Sequence, residues 1–238
     1  MTSRWQTIVP SRQRIVMWGA ADQARVNAHI IDALDCELVA LIDDTPGLIS
    51  PIEDLPLLRG WNEFRPWLDT QSVDDLGFVI AIGNPYGHVR RSLHDRLARA
   101  GLTSVSIVDP SALICASAKI GEGLQMMPHA IVHNSACVER QCIVNTRALV
   151  EHDCILNEGV EIGPGAVLCG RVRVGANTWV AAGATVRPRV KIGANVIVAA
   201  GAVVVSDIPD NVVAVGVPAR PVPDSLTESA RAELKENC

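Results

Sequence analysis

The sequence predicts an α/β amino-terminal domain with a small parallel, Rossmann-like sheet, followed by an all-β parallel β-helix and a short C-terminal helix. Three observations carry that reading. From Val108 to Val204 every sixth residue is apolar, in an unbroken series that runs Val108, Ile114, Ile120, Met126, Val132 and onward to Val198 and Val204. Four residues after each sits a small or β-branched partner, such as Ala112, Ala130, Cys142, Ala148, Cys154 and Ala166, with Leu124 the one large exception. Before Val108 the pattern is different: continuous apolar runs alternate with helical ones. A period of six fits neither the 3.6-residue helix nor an antiparallel meander, and marks a stacked parallel β-helix.

Taken in order, Arg14–Gly19 reads as a buried strand, Ala21–Leu34 as a helix and Glu37–Ile42 as a second strand ending in Asp43 and Asp44. Pro46, Gly47, Pro51 and Pro56 mark a loop, and Trp61–Leu68 reads as a short helix. Phe78–Ile82 is a third strand, followed by the turn Gly83-Asn84-Pro85, a helix over Gly87–Ala100 and a fourth strand over Thr103–Ile107. Strands apolar on both faces and separated by helices imply a parallel sheet, whose ligand crevice lies at the carboxyl ends of its strands. The domains expected are thus 1–107 (nucleotide-binding), 108–222 (β-helix) and a helical tail, 223–238.

Three hexads make one triangular coil of 18 residues, wound left-handed, so the prism stands roughly 27 Å tall at ~4.8 Å per coil. Each coil buries its aliphatics against its neighbours, which leaves the two ends to be covered. The amino-terminal domain is expected over one end, and the tail helix Asp224–Glu236 over the other.

Composition narrows the function. The 238 residues are 48% hydrophobic with a net charge of −5, which argues against nucleic acid or an anionic membrane as the main partner. No apolar run approaches the ~20 residues of a membrane span, and the opening MTSRWQTIVPSRQR has no apolar signal core; a cytoplasmic protein is expected. Seven cysteines without scaffold spacing read as reduced structural thiols. Cys142 and Cys154 fall in the inward column of small residues, which assigns Cys154 to packing rather than to nucleophilic chemistry.

The hexads, Asn145-Thr146, Glu151-His152-Asp153-Cys154 and the closing Gly216-Val217-Pro218-Ala219-Arg220 resemble the left-handed β-helix acyltransferases. Together with the α/β domain, the chain resembles sugar acetyltransferases of the sialic-acid O-acetyltransferase and bacillosamine N-acetyltransferase type over residues 14–222. That resemblance implies acetyl-CoA as co-substrate, a nucleotide-sugar acceptor and a homotrimer with active sites between subunits. It implies His152 as general base, with Asp153 fixing its tautomer, and the Gly170 backbone N–H as donor to the thioester oxygen. Ala182 and Ala200 would line the CoA groove between prisms, and Pro218 and Arg220 would meet its adenine and phosphate end. Asn145 and Glu161 would contact the acceptor. Gly19, Gln23, Asp43, Asp44, Gly83 and Asn84 would hold the nucleotide, with Arg90 or Arg91 reaching phosphate.

Two departures stand out. Where the family's first β–α turn is rich in glycine, this chain has Gly19-Ala20-Ala21-Asp22-Gln23-Ala24, whose alanines restrict backbone approach and whose Asp22 repels an anion. Nine residues after His152 the family has a second histidine, and here Glu161 stands in its place. His129 and His133 lie 23 and 19 residues before His152, neither a whole coil, so no zinc site is expected. The reading is an acetyl-CoA-dependent N-acetyltransferase of a nucleotide-linked amino sugar, with attack by a 4-amino group. Two alternatives are O-acetylation of a sialic acid or related sugar, and a non-catalytic trimeric scaffold whose nucleotide site has degenerated.

Overall fold

The computed structural model describes residues 13–222; the expected tail helix Asp224–Glu236 lies outside the described residues. The first unit comprises β1 (Arg14–Trp18), α1 (Asp22–Ala33), β2 (Glu37–Ile42), β3 (Leu57–Leu58), α2 (Gly60–Leu68), β4 (Leu76–Ile80), α3 (Gly87–Arg99) and β5 (Thr103–Ser104). Its parallel sheet runs in the order β3-β2-β1-β4-β5. Ile15, Val16 and Met17 point to alternate sides of β1 and are all buried, because α1 covers one face of the sheet and α2 and α3 cover the other. β1 pairs with both β2 and β4, so the strand order reverses at its carboxyl end and opens a crevice there.

The boundaries differ from expectation in three places. The third long strand begins earlier, at Leu76, and its ladder ends where the Ala81 N–H donates to Trp18 O. The proline-rich loop contains the short edge strand β3, whose two residues lack any readable alternation. Thr103–Ile107 is not one strand: Val105 N donates to Phe78 O, whereas Ile107 N donates to Leu124 O. The chain changes partners between those residues and passes directly from sheet to β-helix.

The β-helix has three faces of stacked two-residue strands. Face I carries Ile107–Val108, Gln125–Met126, Ile143–Val144, Glu161–Ile162, Trp179–Val180 and Ile197–Val198, and ends in Val213–Val215 with its antiparallel partner Arg220–Pro221. Face II runs from Leu113–Ile114 to Val203–Val204, and face III from Lys119–Ile120 to Lys191–Ile192. From Ile107–Val108 to Val203–Val204 each strand pairs in parallel with the one 18 residues away, and the last coil is shorter, pairing Ile197 with Val213. The inward column is buried throughout except for Ile120, half-buried near the lower end. Burying each such side chain contributes about 1.5–3 kcal/mol, so the core is a sum of near-identical steps. Thr178 enters the small column without an unpaired hydroxyl, because its Oγ1 donates to Gly193 O and accepts from Val196 N.

The outward residues give the three faces different chemistry. On face I, Ile107, Gln125, Ile143 and Glu161 are buried beneath the α/β domain, and Ile107, Met127 and Ile143 join the apolar cluster of Ile15, Met17 and Ile30. Gln125 is hydrogen-bonded into that domain through Asn27 and Ile80 O. The domain therefore lies along face I rather than only across one end of the prism. Face III presents exposed Lys119, Arg173 and Lys191. Face II presents Leu113, Ile131, Leu149, Val167, Thr185 and Val203, with Leu113 exposed and the others half-buried. No described helix is long and apolar enough to cross a membrane.

Candidate active site

His152 occupies the corner between faces II and III, in the turn after Leu149–Val150. The third residue of that turn, Asp153, has φ of 58°, a conformation that aspartate tolerates better than most side chains. The bend aims its carboxylate back at the imidazole, with Asp153 Oδ2 2.9 Å from His152 Nδ1. A carboxylate only accepts, so Nδ1 carries a proton, and in the neutral imidazole the lone pair is then on Nε2. Arg171, a whole coil above Asp153, places its Nε 3.4 Å from the same Oδ2. The hydrogen bond from His152, and then that from Arg171, hold the Asp153 carboxyl below its ordinary range. Both members of the pair remain about half exposed.

Gly170 lies directly above. A methyl group at position 170 would sit 2.5 Å from His152 Nε2, so any other residue there would push the imidazole out of this position. Among the described residues the Gly170 N–H finds no hydrogen-bond acceptor. The corner thus joins a lone-pair base, its orienting acid and a free N–H donor. Cys154, two residues on, points inward, donates to Cys169 O and has its thiol pushed up to about 11, chiefly by burial. Cys142 is pushed up to about 12 for the same reason.

The other expected residues lie elsewhere. Asn145, Ala182 and Ala200 belong to the corner between faces I and II, the opposite edge of face II from His152. A face spans six residues, at most about 20 Å at ~3.3 Å each. Within one chain those groups and His152 therefore flank face II without meeting. Pro218 and Arg220 are exposed on the terminal hairpin.

In the α/β crevice, Gly19 has φ of +103° and packs against Ala81 O, so this glycine remains necessary although its neighbours are alanines. Asp43 is used by the backbone: its oxygens accept from Ala20 N and Thr45 N, each at 2.8 Å. Asp44 is exposed and lies against Gly60. Gln23 bonds Asn27, which continues to Gln125 on face I. Gly83 and Asn84 form the turn between β4 and α3, at the carboxyl end of the sheet.

Two expectations are corrected. Glu161 is 3% exposed on face I, beneath the α/β domain, so it does not face an open acceptor site. Arg90 is fully buried and cannot reach a phosphate: its guanidinium donates to Ile82 O, Gly83 O, Gln141 O and Gly159 O and lies 3.7 Å from Glu161 Oε2. Burial pushes the Glu161 carboxyl up, against the pull of Arg90 and hydrogen bonds from Asn145 and Asn84. Arg91 is tied to Glu158 and Asn177. Sequence reading missed Arg171, although its 18-residue offset from Asp153 is the signal that finds it. It also missed a cavity of about 390 Å³ lined by Pro85, Tyr86, His88, Asn177, Asn195 and Asn211, although the 18-residue offset of Asn177 from Asn195 stacks those two side chains, whose amides are hydrogen-bonded.

Comparison with known proteins fits this architecture. Residues 171–206 match the family model described as bacterial transferase hexapeptide (six repeats). PerB from Caulobacter crescentus, solved in complex with CoA and GDP-perosamine, is 33% identical with a TM-score of 0.79, over 88% of this chain and 97% of that one. The acetyltransferase domain of PglB from Neisseria gonorrhoeae is 29% identical with a TM-score of 0.79, over 89% of this chain and 100% of that one. The chain belongs to the hexapeptide-repeat, left-handed β-helix sugar acetyltransferases. It is an acetyl-CoA-dependent acyltransferase.

Proposed function

We propose that the protein transfers the acetyl group of acetyl-CoA to the 4-amino group of a nucleotide-linked amino sugar, in sites between the subunits of a homotrimer. The observation that carries this reading is the His152 corner, with Asp153 at Nδ1 and the Gly170 N–H beside an unencumbered Nε2. The likeness to PerB in complex with CoA and GDP-perosamine supports an acceptor of that class.

In the reaction the acceptor nitrogen attacks the thioester carbonyl while His152 Nε2 takes its proton. The Gly170 N–H stabilises charge growing on the carbonyl oxygen, an effect worth several kcal/mol in other enzymes. The C–S bond breaks, the amide forms, and the imidazolium returns the proton to the departing sulfur. Asp153 keeps the imidazole in the required tautomer throughout.

Residues 1–107 hold the nucleotide at the carboxyl end of their sheet, around Gly19, Asp44, Gly83 and Asn84, and residues 108–222 carry out the transfer. Face II supports the trimer: it is apolar and uncovered, with His152 and Gly170 at one edge and Asn145, Ala182 and Ala200 at the other. Packing it against a second copy brings the two edges together and completes a groove for CoA, with Pro218 and Arg220 at its upper end. Both substrates belong to the cytoplasm, where the enzyme is expected to act.

The test is thiol release from acetyl-CoA with UDP-, GDP- and dTDP-linked amino sugars as acceptors. The reading predicts release with at least one of them, and a product bearing an acetamido group. No release with any, together with no binding of CoA, would overturn it in favour of a scaffold.

A further inference from the structure

We propose that Arg90 and Glu161 are positioning residues that fix the nucleotide-holding turn relative to the transfer corner, and so make the enzyme prefer a nucleotide-linked sugar to the same sugar without its nucleotide. The inference rests on the acceptor class proposed above.

Arg90 lies in α3, and its guanidinium is shared between two units of the molecule. Nη1 donates to Ile82 O at 3.0 Å and to Gly83 O at 3.3 Å, both in the turn at the end of β4. Nε donates to Gln141 O at 3.1 Å, and Nη2 to Gly159 O at 2.8 Å, at successive coils of the β-helix. A planar fork held on both sides fixes angle as well as distance, which an ammonium on a flexible stem does not. Glu161 neutralises it from face I. The same carboxylate takes hydrogen bonds from Asn145, at 3.5 Å, and from Asn84.

Asn84 belongs to the nucleotide turn and Asn145 to the edge of face II that meets a neighbouring active corner. One buried carboxylate thus connects both ends of the path an acceptor must span. Adhesion alone does not require these charges, because an apolar pair of similar volume holds such a junction equally well. The charged pair adds a single register between nucleotide turn and prism. That register matters only for an acceptor that touches both.

The experiment compares wild type, Arg90→Lys and the double variant Arg90→Met/Glu161→Met. It measures kcat/KM for a nucleotide-linked amino sugar and for the same amino sugar 1-phosphate, the KM for acetyl-CoA, and the melting temperature. The double variant should melt near wild type and keep its KM for acetyl-CoA. It should lose at least about tenfold in kcat/KM for the nucleotide-linked acceptor, mainly through KM, because small displacements of a bound group cost factors of this order. Its kcat/KM for the sugar phosphate should stay within about threefold of wild type, so the nucleotide preference collapses. Arg90→Lys should fall between the two, and it decides the matter if the double variant does not fold. A preserved preference, or a proportional loss with both acceptors, would overturn the inference. No turnover by wild type on any nucleotide-linked amino sugar would instead overturn the parent reading.

Discussion

Two ionisable pairs, His152 with Asp153 on the β-helix and Arg90 of α3 with Glu161 at the junction of the two units, differ chiefly in their access to water. The first stands on an open corner with side chains 50% and 44% exposed; the second is sealed between domains at 1% and 3%. In the first, one nitrogen is held and the other is left with a lone pair. In the second, the guanidinium donates to four carbonyls on two units. An open pair with an unused nitrogen can move a proton, whereas a buried pair whose guanidinium is committed to four carbonyls holds position. Residue type alone does not distinguish them.

Separating the edges of face II tests the open corner most severely. Leu149→Glu puts a charge at the centre of face II; if the proposed trimer with its site split between copies holds, it should give monomers with turnover reduced by about a thousandfold or more. Size-exclusion chromatography and thiol release check both parts. Asp153→Asn leaves the shape of the corner but lets the imidazole take either tautomer. Its kcat should fall about 10- to 100-fold, with KM for acetyl-CoA little changed.

A smaller effect sharpens the buried side of the comparison. His94 is buried in α3, with Nδ1 3.0 Å from Gln141 Nε2 and Nε2 3.5 Å from Glu122. Burial, reinforced by Arg140, lowers its pKa from the ordinary 6.5, against the pull of Glu122, Asp95 and Glu158. The unfolded chain therefore binds a proton near pH 6.5 that the folded protein refuses until lower pH. Stability should decline as pH falls through that window, and His94→Gln should flatten the decline. Denaturant melts at several pH values between 5 and 7 measure it.

Much of this was legible in the chain. The hexads gave the architecture and worked as a ruler, placing Cys154 in the wall and Gly170 above His152, because a parallel coil fixes each residue against the one 18 positions on. The same ruler carries Arg171 to Asp153, 18 positions before it. What remained hidden depends on how the α/β domain meets face I. Glu161 reads as a polar residue on an outward strand position, and only the domain that covers it turns it into a buried partner for Arg90. Arg90 in turn sits in an unremarkable helical pattern. No periodicity within either unit encodes contacts between units, so from sequence the two sides of the junction look like two separate ligand sites.

The most direct measurement is steady-state thiol release by His152→Ala with acetyl-CoA and a nucleotide-linked amino sugar, alongside CoA binding and oligomeric state. The account predicts a fall in kcat of about 100- to 10,000-fold, the usual contribution of a general base, with CoA binding and assembly unchanged. Turnover near wild type in that variant would contradict it.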